Sequence, residues 1–292
     1  MKKLLMISLI IVLSLTGCGD KAENKVVTEP VESAMKVETP STKQGSSPIP
    51  ITESIHGMRF IGLENIERFY QLAKEHKTTE IRVIQYTIEG DPIYYDMISD
   101  GSSVNLVIDN SEDAFGSPNI QKFNCSMLEK EETTTFTDYQ LSECTGLNEP
   151  LSVMHISYNY AEQDLFDFNL QYGYHEMNVI DTFNDQLIII GKDSELHTFS
   201  NYHLTDDEMQ EIYRQFVLSN YLAEKTLSTV CNQKPQENYT INVKINGGTR
   251  DFAWSECDQS DDGIAMSKLV KSIVAILKQN ADYPDIETLL YL

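Results

Sequence analysis

The sequence predicts an α+β fold of two small domains, each an antiparallel sheet packed by one or two helices, after a disordered N-terminal tether. Apolar residues alternate with polar ones in several segments, and amphipathic helical spacing interrupts that alternation. The 292 residues, 41% of them hydrophobic, suffice for two packed cores. We therefore divide the chain into a leader (residues 1–17), a tether (18–50), a first domain (51–148) and a second domain (149–292).

The leader carries two lysines, an apolar run over residues 4–15 and the ending Leu15-Thr16-Gly17-Cys18. The run is too short to span a bilayer stably and leads into small residues, which is typical of a cleaved export signal. Its ending resembles the lipobox of bacterial lipoproteins. This resemblance implies that Cys18 is acylated and becomes the mature N-terminus, so we expect a lipid anchor at the extracytoplasmic face of the cell membrane.

The tether and the net charge restrict the partners. Residues 19–50 contain four prolines and no aromatic residue, a composition that predicts a disordered segment. The formal net charge of −23 disfavours nucleic acid and anionic lipid headgroups as partners. We therefore expect acyl chains to hold the protein at the membrane, with about 0.8 kcal/mol from each buried methylene group.

Four cysteines remain besides Cys18, and an even number in an exported chain predicts disulfides. Three connectivities are possible. Because the first two and the last two cysteines lie in different predicted domains, we favour Cys125–Cys144 and Cys231–Cys257. The alternative is four free buried thiols. No Cys-x-x-Cys spacing occurs, so the sequence predicts neither a redox motif nor a zinc knuckle.

The first domain begins with residues 63–74, where three- and four-residue spacing of apolar residues predicts a helix. These apolar residues are Ile66, Phe69, Tyr70 and Ala73. Strands are predicted over residues 80–88, 93–98 and 103–108. The turn signals Glu89-Gly90-Asp91-Pro92 and Asp100-Gly101 separate them. Two weaker strands carry the first two of the four cysteines.

The second domain opens with alternating runs over residues 154–160 and 166–174, which predict an antiparallel hairpin. Residues 187–190 and 196–199 predict another hairpin. Thr205 and Glu208 have the spacing of a capping box at the start of a helix. Residues 239–245, Asn246-Gly247-Gly248 and the return to residue 257 predict a third hairpin, and Ser260 predicts the N-cap of a last helix.

The aromatic alternation over residues 166–174 has two interpretations. A row of aromatic side chains on one strand face is suited to ligand stacking, as in carbohydrate or peptide recognition. Alternating aromatics in a strand more often form part of a core, and we favour that interpretation.

Many spaced positions of the first domain form a specific pattern. They are His56-Gly57, Ile81-Arg82, residues 86–93, Asp100-Gly101, Asp109-Asn110-Ser111, Asp113, Phe115-Gly116, Cys125 and Cys144. Over residues 56–144 this pattern resembles a family of uncharacterised lipoproteins of Gram-positive, Bacillus-type bacteria, the domain of unknown function 4362. The resemblance implies export, lipidation and an α+β module, and it implies no reaction.

Candidate binding residues gather around the first turn, because turns project side chains from a rigid sheet into solvent. They are His56, Arg82, Tyr86, Glu89, Asp91 and Asp96. Each also has a structural interpretation. The segment around Gly90 can be a hairpin turn, and the charged strand residues can form a cross-strand ion pair on a solvated face. His56 can be an ordinary surface histidine.

The sequence predicts no catalytic residue, cofactor or metal site. It contains no Gly-x-Ser-x-Gly elbow and no phosphate-binding glycine loop, and Val179 replaces the second histidine of the pattern that His175-Glu176 begins. Asp109-x-Ser111-x-Asp113 and Asp258-x-Ser260-x-Asp262 begin like calcium loops. Both lack a glutamate at position twelve, so we favour turns or helix caps there.

These observations predict a membrane-anchored, non-enzymatic module that binds an envelope protein or ligand. One alternative is an envelope hydrolase that uses paired acids such as Glu89, Asp91 or Asp96. Another is a passive structural role in the envelope or spore layer.

Lipidation at Cys18 is directly testable. We expect a Cys18→Ala variant to stay unprocessed and to incorporate no fatty acid, because the variant lacks the thiol that carries the acyl group. Metabolic labelling with a fatty-acid analogue, followed by mass spectrometry of the N-terminus, measures both properties. Normal labelling of the variant would contradict the prediction.

Overall fold

The computed structural model describes residues 48–57, 59–192, 194–280 and 283–284. These described residues form fifteen strands in three sheets, together with three α-helices and one short 3-10 turn, which confirms the predicted α+β class. Ser47–Leu292 is one compact unit. The predicted leader, Cys18 and residues 18–47 of the predicted tether lie outside the described residues.

The first sheet has six strands. In chain order they are β1 (Ile51–Ile55), β2 (Arg59–Ile61), β3 (Thr79–Tyr86), β4 (Pro92–Ser99), β5 (Val104–Asp109) and β6 (Ile120–Cys125), and helix α1 (Leu63–Lys74) follows β2. The spatial order is β2-β1-β3-β4-β5-β6. Both ends of α1 are as predicted. The sheet is not wholly antiparallel, because β1 runs parallel to β3.

Helix α1 buries the apolar face that its sequence predicts. Ile66 is fully buried and Phe69 is 1% exposed, and both belong to a core that includes Ile81 and Met97. Alternation along a strand places these two strand residues on the same side of the first sheet. The α1 face and one face of the sheet therefore form a common core.

The second sheet has three strands, β7 (Met127–Glu132), β8 (Phe136–Ser142) and β9 (Leu151–Ser157), in that spatial order. It is tied to α1 through Tyr139, whose hydroxyl donates to Glu67 Oε2 at 2.7 Å. The domain boundary predicted between residues 148 and 149 lies in the connection between β8 and β9, which pair antiparallel. Hydrogen bonds therefore cross this boundary.

The third sheet has six strands, and two helices belong to the same half of the chain. The strands are β10 (Phe166–Tyr174), β11 (Asn178–Asp181), β12 (Gln186–Ile190), β13 (Leu196–Ser200), β14 (Glu237–Ile245) and β15 (Gly248–Ser255), and the helices are α2 (Asp206–Leu218) and α3 (Asp261–Leu277). Their spatial order is β13-β12-β11-β10-β14-β15. The predicted hairpins β12–β13 and β14–β15 are confirmed.

The hairpin predicted between residues 154–160 and 166–174 is wrong. Strand β9 pairs with β8, whereas β10 pairs with β11 and β14. Between them, the 3-10 turn Tyr160–Glu162 is capped by Asn159, which accepts from the amide of Ala161. Alternation reveals that each strand has one buried face, but it does not reveal which strand lies beside it.

Local signals in the second half are confirmed. Thr205 and Glu208 form the capping box of α2, and the hydroxyl of Ser260 accepts from the Gly263 amide at the start of α3. Phe166 and Phe168 are 3% and 0% exposed, which confirms the core interpretation of the aromatic alternation.

The structure pairs Cys125 with Cys144 and Cys231 with Cys257, the connectivity that the sequence favours. The structure therefore does not show the four free thiols of the alternative interpretation. The first disulfide joins the end of β6 to the segment after β8, so it links the first two sheets.

A side chain from the second half completes the edge of the first sheet. The carboxamide of Asn220, which follows α2, accepts from the Phe60 amide at 3.1 Å and donates to the Phe60 carbonyl. Phe60 is the middle residue of the edge strand β2. Its two backbone polar groups therefore have a partner from a distant part of the chain.

The core around α1 generates a stability prediction. Phe69→Ala leaves a cavity between α1 and the first sheet, so we expect it to lower the free energy of unfolding by about 3–5 kcal/mol. Arg68→Ala, at an exposed position of the same helix, changes it by less than about 0.5 kcal/mol. Urea unfolding followed by circular dichroism measures both, and equal effects would contradict the packing described.

Candidate binding surface

The first sheet has one face that packs into the core and one that points away from it. Alternation from the buried Ile81 and Met97 assigns the residues that point away. The surface they form, named the open face, consists of Ile51, Glu53, Ile55, Arg59, Ile61, Glu80, Arg82, Ile84, Tyr86, Pro92, Tyr94, Asp96, Ile98, Asn105, Val107, Asp109, Ile120, Lys122 and Asn124. Four isoleucines remain accessible there: Ile51 is 43% exposed, Ile61 53%, Ile98 50% and Ile120 55%.

Strand register arranges the open face in rows. One row runs Ile51, Arg82, Asp96, Val107, Lys122. The next runs Ile61, Glu53, Ile84, Tyr94, Asp109, Ile120. On the β1–β2 side of the sheet, both rows end in an exposed isoleucine, Ile51 or Ile61. On the β6 side, the second row ends in Ile120. Charged and aromatic side chains such as Arg82, Asp96 and Tyr94 lie between these ends.

Arg82 and Asp96 form the centre of the first row. Arg82 Nε lies 2.6 Å from Asp96 Oδ1, and Nη2 lies 2.7 Å from Oδ2, which is a bidentate geometry. The guanidinium also lies over the Tyr94 ring, 4.8 Å from its centroid. Hydrogen bonds with Asp96 raise the pKa of Arg82. The pair is the cross-strand ion pair that the sequence offers as one interpretation of these residues.

Two tyrosines of this surface donate to glutamates. Tyr86 Oη donates to Glu53 Oε2 at 2.9 Å, and Tyr94 Oη donates to Glu112 Oε2 at 3.2 Å. Desolvation, followed by the hydrogen bond to Glu53, raises the pKa of Tyr86. This phenol therefore stays protonated and keeps its role as a donor at neutral pH.

The β3–β4 turn lies at one end of the open face. Thr87 and Asp91 close it, with the Thr87 amide 2.9 Å from the Asp91 carbonyl, and Gly90 has a φ of 95° that favours glycine. Asp91 Oδ2 accepts from the Ala114 amide at 2.9 Å, which joins the turn to the β5–β6 connection. Glu89 is exposed beside them.

The structure thus brings the six predicted binding residues to one sheet and its turns. Arg82, Tyr86 and Asp96 lie on the open face, and Glu89 and Asp91 lie at its end. His56 is exposed in the turn between β1 and β2 with a φ of 52°, at the same end of the sheet as the β3–β4 turn because β1 runs parallel to β3. A binding role for these residues stays a prediction.

Two of the three acids proposed for the hydrolase alternative have structural roles, and the third, Glu89, is exposed. Asp96 pairs with Arg82, and Asp91 holds the β5–β6 connection. The apparent calcium loops are built as turns: Asp109 accepts from the Ser111 amide, and Asp258 accepts from the Ser228 and Ser260 amides. Within the described ranges, no group of three or more His, Cys, Asp or Glu side chains is placed to hold a metal ion.

A charged cluster that joins α1, β7 and α2 was not predicted from the sequence. Lys130 Nζ lies 3.1 Å from Glu67 Oε2 and 3.0 Å from Glu132 Oε2, and Arg214 also pairs with Glu132. Glu53 and Ile61 of the open face were not predicted either, because β1 buries Thr52 and Ser54 and therefore shows no apolar alternation.

Asp100 closes the β4–β5 turn, next to the open face. Its carboxylate accepts from the amides of Ser102 and Ser103, each at 2.8 Å, and from the Ser102 hydroxyl. Hydrogen bonds with Ser102, supported by Ser103, lower the pKa of Asp100 from 3.8 to about 2. The ionised carboxylate therefore stabilises this turn.

This shift predicts a pH dependence. A lowered pKa in the folded state contributes stability above the ordinary value of 3.8, and the contribution is lost as the pH falls toward about 2. We therefore expect the difference in melting temperature between the wild type and Asp100→Asn to be largest near neutral pH and to shrink over this window. Thermal unfolding at stepped pH measures it, with Glu89→Gln as the control. A difference independent of pH would contradict the role of this carboxylate.

Comparison with known proteins adds one match. Residues 54–140 match a family model described as Domain of unknown function (DUF4362), a span that begins in β1 and ends in β8. No curated protein and no solved structure has significant similarity to the chain. In the part of the chain that the structure describes, no helix has the length and apolar character needed to cross a membrane. Over residues 54–140 the chain is therefore similar to a family whose function is unknown.

Proposed function

We propose that the protein is a lipid-anchored, extracytoplasmic lipoprotein of the cell envelope that acts without catalysis and binds a partner protein through the open face. The leader and the ending Leu15-Thr16-Gly17-Cys18 support the anchor. The two disulfide pairs support an oxidising compartment, since such bonds are rare in the cytosol.

The single observation that carries the binding role is the exposure of the isoleucines around a polar centre. Aromatic residues and arginine are enriched in protein interfaces, and here Tyr94 and Arg82 lie between the exposed isoleucines. The centre is rigid, because Arg82 is held both by Asp96 and by the Tyr94 ring. A preordered surface of this kind loses little conformational entropy on binding.

Charge identifies the kind of partner. Glu89, Asp91 and Glu112 gather at one end of the open face, and the whole chain carries a net charge of −23. An acidic surface attracts a basic partner and repels a second copy of itself. We therefore propose a partner protein whose contact surface combines apolar and basic side chains. No observation in the described residues favours the hydrolase alternative.

Site-specific photo-crosslinking tests this proposal in the cells that produce the full chain. With p-benzoylphenylalanine replacing Tyr94 at the centre of the open face, we expect one discrete adduct to a different, basic protein. The same replacement at Thr198, an exposed position on the edge strand β13, yields no such adduct. Mass spectrometry identifies the adduct.

Charge reversal provides a matched pair of variants. Glu89→Lys weakens electrostatic attraction at the end of the open face, so we expect it to lower the adduct yield about threefold or more. Glu149→Lys makes the same charge change at an exposed position outside that face and leaves the yield unchanged. No adduct at Tyr94, the same adduct at Thr198, or an adduct between two copies of this chain would each overturn the proposal.

A further inference from the structure

A cavity of about 380 Å³ lies between the C-terminal end of α1, the β4–β5 turn and β7. Its volume is within the range of small-molecule sites. The lining residues fall between Tyr70 and Lys130, inside the segment that matches the family model. The cavity is separate from the open face, because Ser99 and Val104 line it from the core side of the first sheet.

The cavity has an apolar part beside a polar part that includes Ser99, Ser102, Ser103 and Ser126. Val104 and Leu128 are 2% and 4% exposed, and Tyr70, Ala73 and Met127 complete the apolar lining. Such a surface favours an apolar body, which gains free energy when it leaves water.

Positive charge lies at the rim. Lys74 is exposed, its Nζ is 5.6 Å from the centroid of the Tyr70 ring, and it forms no ion pair with another described residue. Lys130 also lines the cavity, although its ammonium group already pairs with Glu67 and Glu132. Glu129 is the one acidic residue of the lining. Lys74 is thus a cation of the lining that no acidic side chain of the described residues pairs with, so it is free to pair with an anion.

The walls are preformed. The imidazole Nδ1 of His76 lies 2.9 Å from the carbonyl oxygen of Gly101, which joins the end of α1 to the β4–β5 turn. Gly101 has a φ of 92°, and a Cβ there would collide with the His76 carbonyl oxygen, so only glycine fits this approach. The Cys125–Cys144 disulfide fixes the chain just before Ser126 and Met127 on the opposite wall.

We propose that this cavity binds a small amphipathic anion. Its apolar body packs against Tyr70, Val104 and Leu128, and its acidic group pairs with Lys74 at the rim. This site is independent of the partner-binding role of the open face, and it gives the segment that matches the family model a ligand class of its own.

Two fluorescent probes with the same aromatic body test the proposal. Anilinonaphthalenesulfonate carries a sulfonate, and phenylnaphthylamine is its uncharged counterpart. The protein is residues 18–292 with Cys18→Ser, which retains the whole compact unit Ser47–Leu292. We expect both probes to bind at one site, with the sulfonate bound more tightly.

Four variants separate the two parts of the site. Lys74→Met raises the dissociation constant of the sulfonate about three- to fivefold and leaves that of the neutral probe unchanged, since the exposed ammonium contributes up to about 1 kcal/mol. Lys74→Arg retains wild-type affinity. Lys77→Met, which removes a lysine paired with Glu75 outside the cavity, has no effect. Ala73→Phe fills the cavity and abolishes binding of both probes.

Several results would overturn the proposal. They are the absence of binding, an unchanged affinity in folded Ala73→Phe, or equal effects of Lys74→Met on the two probes. Thermal unfolding establishes that Ala73→Phe is folded. If that variant does not fold, the exposed Lys74 variants decide the outcome alone. Tyr94→Ala on the open face leaves probe binding intact, so failure here is distinguishable from failure of the partner-binding proposal.

Discussion

The burial of one face of α1 determines the arrangement of the first half of the protein. Ile66 and Phe69 occupy the core on one side of the first sheet, while Glu67 connects the helix to the second sheet through Tyr139 and Lys130. Because a sheet has two faces and this helix covers one, the other face keeps Ile51, Ile61, Ile98 and Ile120 accessible. The same helix contributes the rim of the cavity through Lys74. Both proposed sites therefore depend on this packing.

Features of the fold that depend on nearby residues were predictable from the sequence. The periodicity of α1, the capping box of Thr205 and the hairpin around Asn246 each involve residues within a few positions of one another. Pairings between distant segments were not predictable. The parallel contact of β1 with β3 and the pairing of β9 with β8 depend on long-range packing, about which alternation carries no information.

The same distinction applies to the candidate sites. Arg82 and Asp96 were accessible to prediction because they face each other across a short hairpin, where register follows from the turn. Glu53 was missed because its contact with Tyr86 depends on the unpredicted strand β1. The cavity was missed because its walls come from a helix end, a turn and a strand of another sheet. Recognition of such a site requires tertiary structure.

The Asn220 side chain has a further consequence for the solution behaviour of the molecule. Exposed strand edges are templates for intermolecular β-pairing, and proteins restrict them with short strands or covering groups. Strand β2 has three residues, and its middle residue already exchanges both backbone hydrogen bonds with the Asn220 carboxamide. A β-strand from another molecule would have to displace this carboxamide before it could pair with β2, so the edge resists fibrillar growth.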